Sequence, residues 1–349
     1  MSTVHIVIVN YRTADMVLDC LASLAPMAAE RRGLRVTVVD NASPDDSAQR
    51  LRTGIDGEGY GAWCDLLVSD GNLGFAGGNN AAIRRVLGSA EPASYIWLLN
   101  PDTVVRPGAL DRMVQALDVH AGAGIVGSAL EDDRGRVLSG ARRRPSALSE
   151  LNGAARLGLL SRLLAGYVVS QPMRDQAHRC DWVSGASMMV RREVFQRIGL
   201  LDEGYFLYYE ELDFCERARV AGWEVWHEPA ARIVHLEGAS TGINEQRRRR
   251  PGYWYASRRR FFLKRYGRVG LIVADACWAA GRFSLVLRRL LRLGGSFDGD
   301  PIAYSRDLLI GDLRALLGRV RVQSIRSTRG RATASSASPE HQHLCEGES

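Results

Sequence analysis

The sequence predicts an α/β fold, in which a mostly parallel, twisted sheet has helices on both faces and is followed by a C-terminal helical segment. Three observations support this prediction. Apolar, β-branched runs alternate with segments of helical periodicity through the first 130 residues. The links between these segments are short, as in sheets whose parallel strands are joined by helices. Beyond about residue 240, arginine runs and two helical segments replace the strand signals.

The first half of the chain contains the clearest elements. Residues 4–9 read VHIVIV and are β-branched apart from His5, which is typical of a parallel strand that is buried on both faces. Further strands are predicted over residues 35–39, 65–69, 95–99 and 125–127. Four helices are predicted in this half. Two are indicated by helical periodicity, and two by a proline, which the first turn of a helix tolerates. These helices cover residues 16–24, begin near Pro44, cover residues 76–87 and begin near Pro107.

The second half is less regular. Residues 141–179 are basic and show no clear periodicity. After them we expect strands over residues 182–190 and 233–235, and helices over residues 191–198, 210–221, 268–293 and 303–322. The predicted organisation is an α/β domain with halves 1–130 and 131–240, a basic helical region 241–325 and a polar tail 326–349. The Ser/Thr/Ala-rich composition of that tail predicts disorder.

Composition limits the classes of partner and compartment. A net charge of +7 favours anionic partners such as nucleotides, phosphates or an acidic membrane face. The six cysteines contain no CxxC pair, which argues against a thiolate zinc site and for reduced cysteines in a cytosolic protein. We find no N-terminal leader pattern and no uncharged apolar run of membrane-spanning length. The expectation is therefore a cytoplasmic chain without a transmembrane segment.

Polar side chains follow three of the predicted strands. Asn10 comes after the first strand, Asp40 and Asn41 after the second, and Asn100 and Asp102 after the strand over residues 95–99. Since the carboxyl ends of parallel strands meet at one edge of a sheet, these side chains are expected to line one crevice. An acid there can accept hydrogen bonds from a nucleobase or a ribose hydroxyl. The alternative is that Asx residues cap turns at these positions.

Two further features fit a phosphate-containing ligand. Residues 71–80 read GNLGFAGGNN, which is neither a GxGxxG motif nor a P-loop. Four glycines before a helix indicate backbone close to a ligand, although a plain glycine-rich turn is the alternative. Asp102 and His235 are candidate ligands of a divalent cation, because Mg²⁺ and Mn²⁺ prefer oxygen ligands and share them with phosphates. Both residues also fit purely structural roles.

An acidic cluster opens the predicted helix after residue 209. It consists of Glu210, Glu211 and Asp213 within the segment YFLYYEELDFCERARVAGW. Acids favour helix N-termini for electrostatic reasons alone. The functional alternative is a general base whose carboxylate is partly desolvated by the neighbouring aromatic side chains. Residues 210 and 213 share a helix face and residue 211 points about 100° away, so either face can hold the base while the other braces the structure.

Taken together, these motifs resemble the family 2 glycosyltransferases, in the bacterial rhamnosyltransferase-like branch. The resemblance extends over about residues 3–265. It is carried, in the family's order and spacing, by VIVNYRT, VVDNAS, GNLGFAGGNN, LLNPDT, WVSGASMMVRREVF, YFLYYEELDFCERARVAGW and HLEGAS. It implies a GT-A type fold, with residues 1–130 as the nucleotide-binding half and residues 131–240 as the acceptor half.

The resemblance also implies roles for individual residues. The LNPD segment takes the place of the family's DxD motif, so that Asp102 and His235 would bind Mg²⁺ or Mn²⁺, although Asn100 replaces the first Asp. Glu211 falls where the family has its catalytic base. Because Glu-Glu replaces the commoner Glu-Asp pair, Glu210 and Asp213 remain alternatives. The nucleotide-sugar site would contain Asn10, Tyr11, Asp40, Asn41, Asn72, Gly74, Asn79, Asn100 and Gly185.

The implied reaction is a single displacement with inversion at the sugar. Glu211 deprotonates an acceptor hydroxyl, which attacks the anomeric carbon of the donor while the metal stabilises the departing nucleoside diphosphate. The expected donor is dTDP-L-rhamnose, and the expected acceptor is a lipid-linked saccharide or a growing cell-surface polysaccharide. The alternatives are transfer of another hexose from a UDP-sugar, and a catalytically inactive, membrane-recruited scaffold of the same fold. No nucleic-acid recognition motif accompanies the arginine runs, so no nucleic-acid partner is expected.

The C-terminal region shows a basic amphipathic pattern. On a helical wheel, the arginines at 282, 288, 289 and 292 cluster on one side. The other side is apolar and contains Phe283, Val286, Leu287, Leu290 and Leu291. This pattern predicts peripheral binding to the anionic inner face of the plasma membrane, to which the upstream arginine runs would add about 1 kcal/mol per residue. The alternative is a helix that packs its apolar face on the catalytic domain.

Overall fold

The computed structural model describes residues 2–138, 140–236, 249–294 and 300–318. Its strands, numbered β1 to β12, are Val4–Asn10, Leu34–Asp40, Cys64–Val68, Tyr95–Leu99, Thr103–Val105, Ala123–Glu131, Val137–Leu138, Ala141–Arg142, His178–Cys180, Trp182–Val183, Ser187–Arg191 and Glu224–His235. Its α-helices, numbered α1 to α10, are Ala14–Glu30, Ser47–Gly57, Gly74–Leu87, Ala109–Val119, Ala147–Ala155, Gly158–Leu163, Arg192–Ile198, Glu210–Val220, Gly252–Leu290 and Tyr304–Leu317. The predicted disordered tail and the end of the HLEGAS motif lie outside the described residues.

The main sheet has a parallel half and a mixed half. Its strand order is β3-β2-β1-β4-β11-β6-β12-β5. The first four strands are parallel, β11 is antiparallel to both of its neighbours, and β12 is parallel to β6 but antiparallel to β5. The register pairs Asn10 with Asp40, so that the polar residues after β1 and β2 lie side by side. The predicted fold class is confirmed.

The core lies on both faces of the parallel strands. Along β1, Ile6 and Ile8 pack with one cluster that includes Leu21 of α1, and Val7 packs with the opposite cluster that includes Ile83 of α3. All five side chains are fully buried. A strand that is buried on both faces has no polar side to alternate with, which explains why every residue of β1 except His5 and Asn10 is apolar.

The structure corrects the predicted strand over residues 182–190. Two short strands occupy this stretch, and a turn around Gly185 separates them. β10 leaves the main sheet and pairs with β8, whereas β11 returns to it. The predicted strand at residues 233–235 is the end of the longer β12, and β5 has no counterpart in the prediction. Both short strands are apolar, so the sequence alone does not show that they belong to different sheets.

Of the two C-terminal helices, α9 packs on α5 and α10 packs on α9. α9 breaks at Gly267, whose φ of 72° lies in the left-handed region. Its second half buries one side, which consists of Leu271, Ala274, Trp278, Gly281 and Leu285. A Cβ on Gly281 would come within 2.5 Å of the carbonyl oxygen of Leu151, so this close helix–helix approach requires glycine. The part of α9 before the break was not predicted, because its arginines were interpreted as charge runs that attract an anionic membrane.

Those arginines are engaged inside the protein. Arg258 is 1% exposed and binds Glu150, Asp275 and Asp312, from three different helical segments. Arg259 pairs with Asp312 as well, and Arg260 pairs with Asp202. The expectation that residues 258–260 attract an anionic membrane is therefore wrong. Buried arginines need carboxylate partners, and these helices supply them.

The two sides of the amphipathic part of α9 also lie opposite to the predicted arrangement, with the arginines towards the protein and the apolar side chains outward. Arg282 pairs with Asp300, and Arg288 donates to the carbonyl of Ala155, so both reach towards the protein. Phe283 and Leu290, from the apolar side, are 67% and 75% exposed. The alternative that this apolar side packs on the catalytic domain is therefore wrong.

Within the described part of the chain, α9 is also the one helix that is long and apolar enough to cross a bilayer by length and composition. Core helices of soluble proteins share this length and composition, so the property alone does not identify a membrane span. Asp275, in the middle of the apolar stretch, is bound to the buried Arg258, which ties the helix to the rest of the protein. The predicted absence of a transmembrane segment stays a prediction.

Candidate active site

A cavity of about 530 Å³ opens at the carboxyl ends of the parallel strands. Its walls come from both halves of the α/β domain and from the start of α9. It is lined by ten of the residues selected from the sequence, namely Tyr11, Asn41, Asn72, Gly74, Asn100, Asp102, Gly185, Glu210, Glu211 and His235. Residues that lie far apart in the sequence thus meet at one site.

Asn10, Asp40 and Asn79 do not line the cavity. The Nδ2 of Asn10 donates to Oδ1 of Asp40 at 2.7 Å, and the hydroxyl of Ser43 donates to the same oxygen at 2.7 Å. Oδ1 of Asn10 accepts from the backbone N–H of Thr13 at 3.1 Å. Asn79 donates to the carbonyl of Phe75 at 2.8 Å. These side chains hold the loops behind the cavity wall, which matches the turn-capping alternative.

Asn41 organises the glycine-rich loop at the wall itself. Its Nδ2 donates to the carbonyl of Gly74 at 3.0 Å, and its Oδ1 accepts from the N–H of Leu73 at 3.1 Å. Asn72 accepts from the N–H of Gly74 at 3.0 Å. The loop is therefore braced from both sides before any ligand binds.

Gly74 joins this loop to the segment that precedes α8. It has a φ of 68°, and a Cβ at this position would lie 2.2 Å from the carbonyl oxygen of Phe206. The N–H of Phe75 donates to that same oxygen at 2.8 Å. Only glycine permits this backbone contact, which links the glycine-rich loop to the segment before the acidic cluster.

Asp102 and His235 lie together because β12 pairs with β5. The pairing places His235 opposite Thr103, and Oδ1 of Asp102 lies 3.5 Å from Nε2 of His235. Asp102 is 3% exposed, and this oxygen accepts no hydrogen bond from the residues that the structure describes. A buried carboxylate oxygen without a donor, beside an imidazole, fits a divalent cation. No cluster of three such ligands occurs in the described ranges, so the remaining ligands would come from substrate phosphates.

Glu210 and Glu211 enter the cavity from the first turn of α8. Tyr208 and Tyr209, just before them, have φ values of 69° and 72°, a strained conformation for residues with side chains. In each glutamate, Oε2 is buried and has no hydrogen-bond partner among the described residues. Burial raises the pKa of both carboxyls, and the neighbouring Glu211 raises that of Glu210 further. Carboxyls whose pKa is raised in a cavity are candidates for proton transfer.

Asp213 points away from the cavity. Its carboxylate accepts from Nε of Arg217 at 2.8 Å and lies 2.6 Å from Nζ of Lys264. The hydroxyl of Tyr205 donates to it at 3.3 Å. With its oxygens occupied in this way, Asp213 braces α8 and is not available to a substrate.

Sequence reasoning missed several lining residues. Arg142 and Trp182 line the cavity from β8 and β10, and Phe75 lines it beside Gly74. In the sequence, Arg142 belongs to a run of arginines and Trp182 begins the WVSGAS motif. Neither indicated an inward direction, because two-residue strands show no periodicity.

A comparison with known proteins identifies the family. The sequence pattern of Glycosyl transferase family 2 matches residues 5–199, more than half of the chain. The chain belongs to glycosyl transferase family 2.

As a family 2 glycosyltransferase it is a hexosyltransferase, and the predicted GT-A type fold is confirmed by similar solved structures. One is a mannosyltransferase from Pyrobaculum calidifontis in complex with GDP-Man and Mn²⁺ (TM-score 0.52, 13% identity, 91% of this chain and 81% of that one). Another is TarS 1–349 from S. aureus (TM-score 0.50, 13% identity, 90% and 80%).

Curated relatives of this glycosyltransferase include rhamnosyltransferases. It is 29% identical to an N-acetylglucosaminyl-diphospho-decaprenol L-rhamnosyltransferase of Mycobacterium tuberculosis, over 68% of this chain and 77% of the relative. It is 28% identical to the rhamnosyltransferase WbbL of Escherichia coli, over 48% of this chain and 62% of the relative. The predicted similarity to the rhamnosyltransferase-like branch is confirmed.

The Gly74–Phe206 contact leads to a prediction. A Gly74→Ala substitution is expected to lower kcat/KM of sugar transfer by about 100-fold, because a shift of about 1 Å at a catalytic site costs that much. The measurement is steady-state kinetics on folded protein. Gly71→Ala is the matched control in the same loop, since a Cβ there meets nothing within 4 Å. Equal kcat/KM in both variants would show that the contact is dispensable.

Proposed function

We propose that this enzyme transfers L-rhamnose from dTDP-L-rhamnose, with inversion, to a hydroxyl of a lipid-linked saccharide or growing cell-surface polysaccharide. The observation that carries the proposal is the composition of one cavity. On one wall lie two glutamates whose Oε2 atoms are buried, and on another lies Oδ1 of Asp102; none of these three oxygens has a hydrogen-bond partner among the described residues. The named relatives support rhamnose as the sugar and a prenyl-linked acceptor.

Each residue has a role in the proposed reaction. Glu211 accepts the proton of the acceptor hydroxyl, and Gly185, beside it, leaves room for the sugar. Asn41, Asn72 and Gly74 shape the wall against which the nucleotide lies, with Tyr11 at its rim. Asp102 and His235 would hold Mg²⁺ or Mn²⁺, whose chemistry is to neutralise charge on the departing diphosphate. Mn²⁺ in the Pyrobaculum complex supports a divalent ion.

The test is a donor panel. Purified protein is incubated with Mg²⁺ or Mn²⁺ and dTDP-, UDP- and GDP-sugars, and release of nucleoside diphosphate is measured. We expect metal-dependent release from dTDP-rhamnose that is lost in Asp102→Asn and kept in Asp111→Asn, a control whose side chain is 77% exposed on α4. Release from a UDP-hexose alone would replace rhamnose by that hexose. A folded protein that binds no nucleotide would support the inactive scaffold.

The enzyme is further proposed to act at the cytoplasmic face of the plasma membrane. The evidence is the outward-facing apolar side of α9, together with exposed Leu313 and Leu317 on α10. Exposed apolar side chains of this size are typical of binding sites rather than of free surface. An acceptor attached to a prenyl lipid would be presented at such a surface.

The membrane proposal predicts binding to vesicles. A Phe283→Glu, Leu290→Glu double variant is expected to bind anionic phosphatidylglycerol vesicles at least about 100-fold more weakly, because each buried side chain contributes about 1.5–3 kcal/mol. Co-sedimentation measures this. The control is Val119→Glu, which replaces a side chain that is 67% exposed at the end of α4. Unchanged binding of the double variant would exclude α9 as the membrane contact.

A further inference from the structure

Arg142 is an unused cation in the cavity. It is the one arginine or lysine among the described residues that line the cavity, and the proposed reaction assigns it no role. Its strand pairs it directly with Trp182, and its guanidinium carbon lies 5.3 Å from the centre of the Trp182 ring. Its Nε is buried and has no hydrogen-bond partner in the described part of the chain. Stacking therefore holds the guanidinium in place while leaving donors available.

Glu211 lines the same cavity as this cation. The helix that carries Glu211 packs against β10, the strand of Trp182. At the turn after β10, a Cβ on Gly185 would lie 3.5 Å from Cβ of Glu211. Burial raises the pKa of Glu211, and the positive charge of Arg142 opposes that rise. For Glu210 the largest influences are burial and Glu211, and both raise its pKa.

Two adjacent buried carboxyls do not both ionise easily, because each charge opposes the other. The surroundings then decide which of the two is ionised. Arg142 is a cation that stabilises the charge of Glu211. Among the residues that the structure describes, the other titratable side chains that line the cavity are Tyr11, Asp102, Tyr208, His235 and Tyr253, and Cys215 interacts with Glu211 from the same helix.

We propose that Arg142 is a positioning residue for the base: stacked on Trp182, it holds the negative charge of the pair on Glu211, so that Glu210 keeps the proton. This inference rests on the proposed function. The guanidinium does not itself touch the reacting atoms. It makes one of two chemically identical side chains the acceptor of the substrate proton.

The test is a direct titration of the pair. Full-length protein is labelled with ¹³C at the glutamate Cδ, and the carboxyl resonances are followed against pH by NMR. Glu210→Gln and Glu211→Gln assign the two signals. In Arg142→Gln we expect the Glu211 midpoint to rise by about one pH unit or more, as for loss of a nearby opposite charge. Arg142→Lys keeps the charge, and its midpoint is expected to stay near that of the wild type.

Turnover provides a second measurement. The acid limb of the kcat/KM profile is expected to move to higher pH in Arg142→Gln by the same amount as the NMR midpoint. An unmoved midpoint would overturn the inference, as would a raised donor KM with an unmoved acid limb, which would make Arg142 a diphosphate ligand. If Arg142→Gln does not fold, Trp182→Leu removes the stacking platform and is expected to shift the midpoint in the same direction.

The two proposals fail separately. If the wild type releases nucleoside diphosphate from no donor, the proposed function fails, and the NMR titration still decides the role of Arg142. If turnover is normal and the midpoint does not move, only the role of Arg142 is rejected.

Discussion

Glu211→Gln is expected to lower kcat of sugar transfer by about 10²–10⁴-fold, the usual contribution of a general base. The amide has the size of the carboxylate but cannot accept the proton of the acceptor hydroxyl. Nucleotide binding is expected to remain, because the residues that shape the nucleotide wall are unchanged. Single-turnover kinetics with the identified donor and acceptor, together with calorimetric titration of the nucleotide, measure the two effects separately.

Glu210→Gln is the matched control for this experiment. If Glu210 carries the proton of the pair, the amide resembles its resting state, and kcat is expected to fall by less than about 10-fold. The reverse result, with Glu211→Gln active and Glu210→Gln inactive, would make Glu210 the base. Both variants change the same helical turn, so a difference between them cannot come from a general loss of structure.

Arg258→Met is expected to lower the free energy of unfolding by about 3–5 kcal/mol, because removal of one partner leaves uncompensated buried charges. Arg258 donates to Glu150, Asp275 and Asp312 at 2.8–3.2 Å. These acids belong to α5, the second half of α9 and α10, which this one guanidinium joins. Urea unfolding followed by circular dichroism measures the loss.

The loss is expected to depend on pH. Burial raises the pKa of Asp312 from 3.8 to about 7. Because the folded state binds this proton more tightly than the unfolded state, the stability contributed by Asp312 falls as pH rises from about 4 to about 7. Arg258 stabilises the charged form of Asp312. Without Arg258 this buried charge has lost a counter-ion, so the deficit of Arg258→Met is expected to be larger at pH 8, where Asp312 is ionised, than at pH 5.

Arg249→Met is the matched control for the ion-pair network. Arg249 pairs at 2.6 Å with Asp307, which lies on α10 as Asp312 does. The side chain of Arg249 is 58% exposed. Water screens exposed ion pairs, so this pair is expected to contribute much less to stability than the buried cluster. If Arg258→Met costs no more than Arg249→Met, the buried cluster does not hold the C-terminal helices in place.

The parallel strands and the sequence motifs were predictable because their signals are local. Residues 4–9 had to be buried on both faces, and β1 occupies Val4–Asn10. The motif around Gly74 indicated a ligand wall, and Gly74 lines the cavity. The break at Gly267 and the helix before it were not predicted, because they depend on partners in α5 and α10.

The acidic cluster shows where local signals end. Helical geometry separated Glu211 from Glu210 and Asp213, but it did not indicate which face meets the cavity. The orientation depends on Lys264 and Arg217, which bind the carboxylate of Asp213. It also depends on Tyr208 and Tyr209, whose strained backbone directs both glutamates into the cavity. Lys264 lies about fifty residues away along the chain, beyond the reach of any periodicity.

The sequence by itself determined the family, the α/β class and the set of acids and amides from which a site can be built. Only the tertiary structure decided which of them meet in the cavity, that Arg258 is an internal ion-pair centre, and that the apolar side of α9 faces outward. The physical reason is that burial and pairing are properties of the assembled chain. A carboxylate or an arginine is chemically the same in every sequence, and its role follows from the groups that folding places around it.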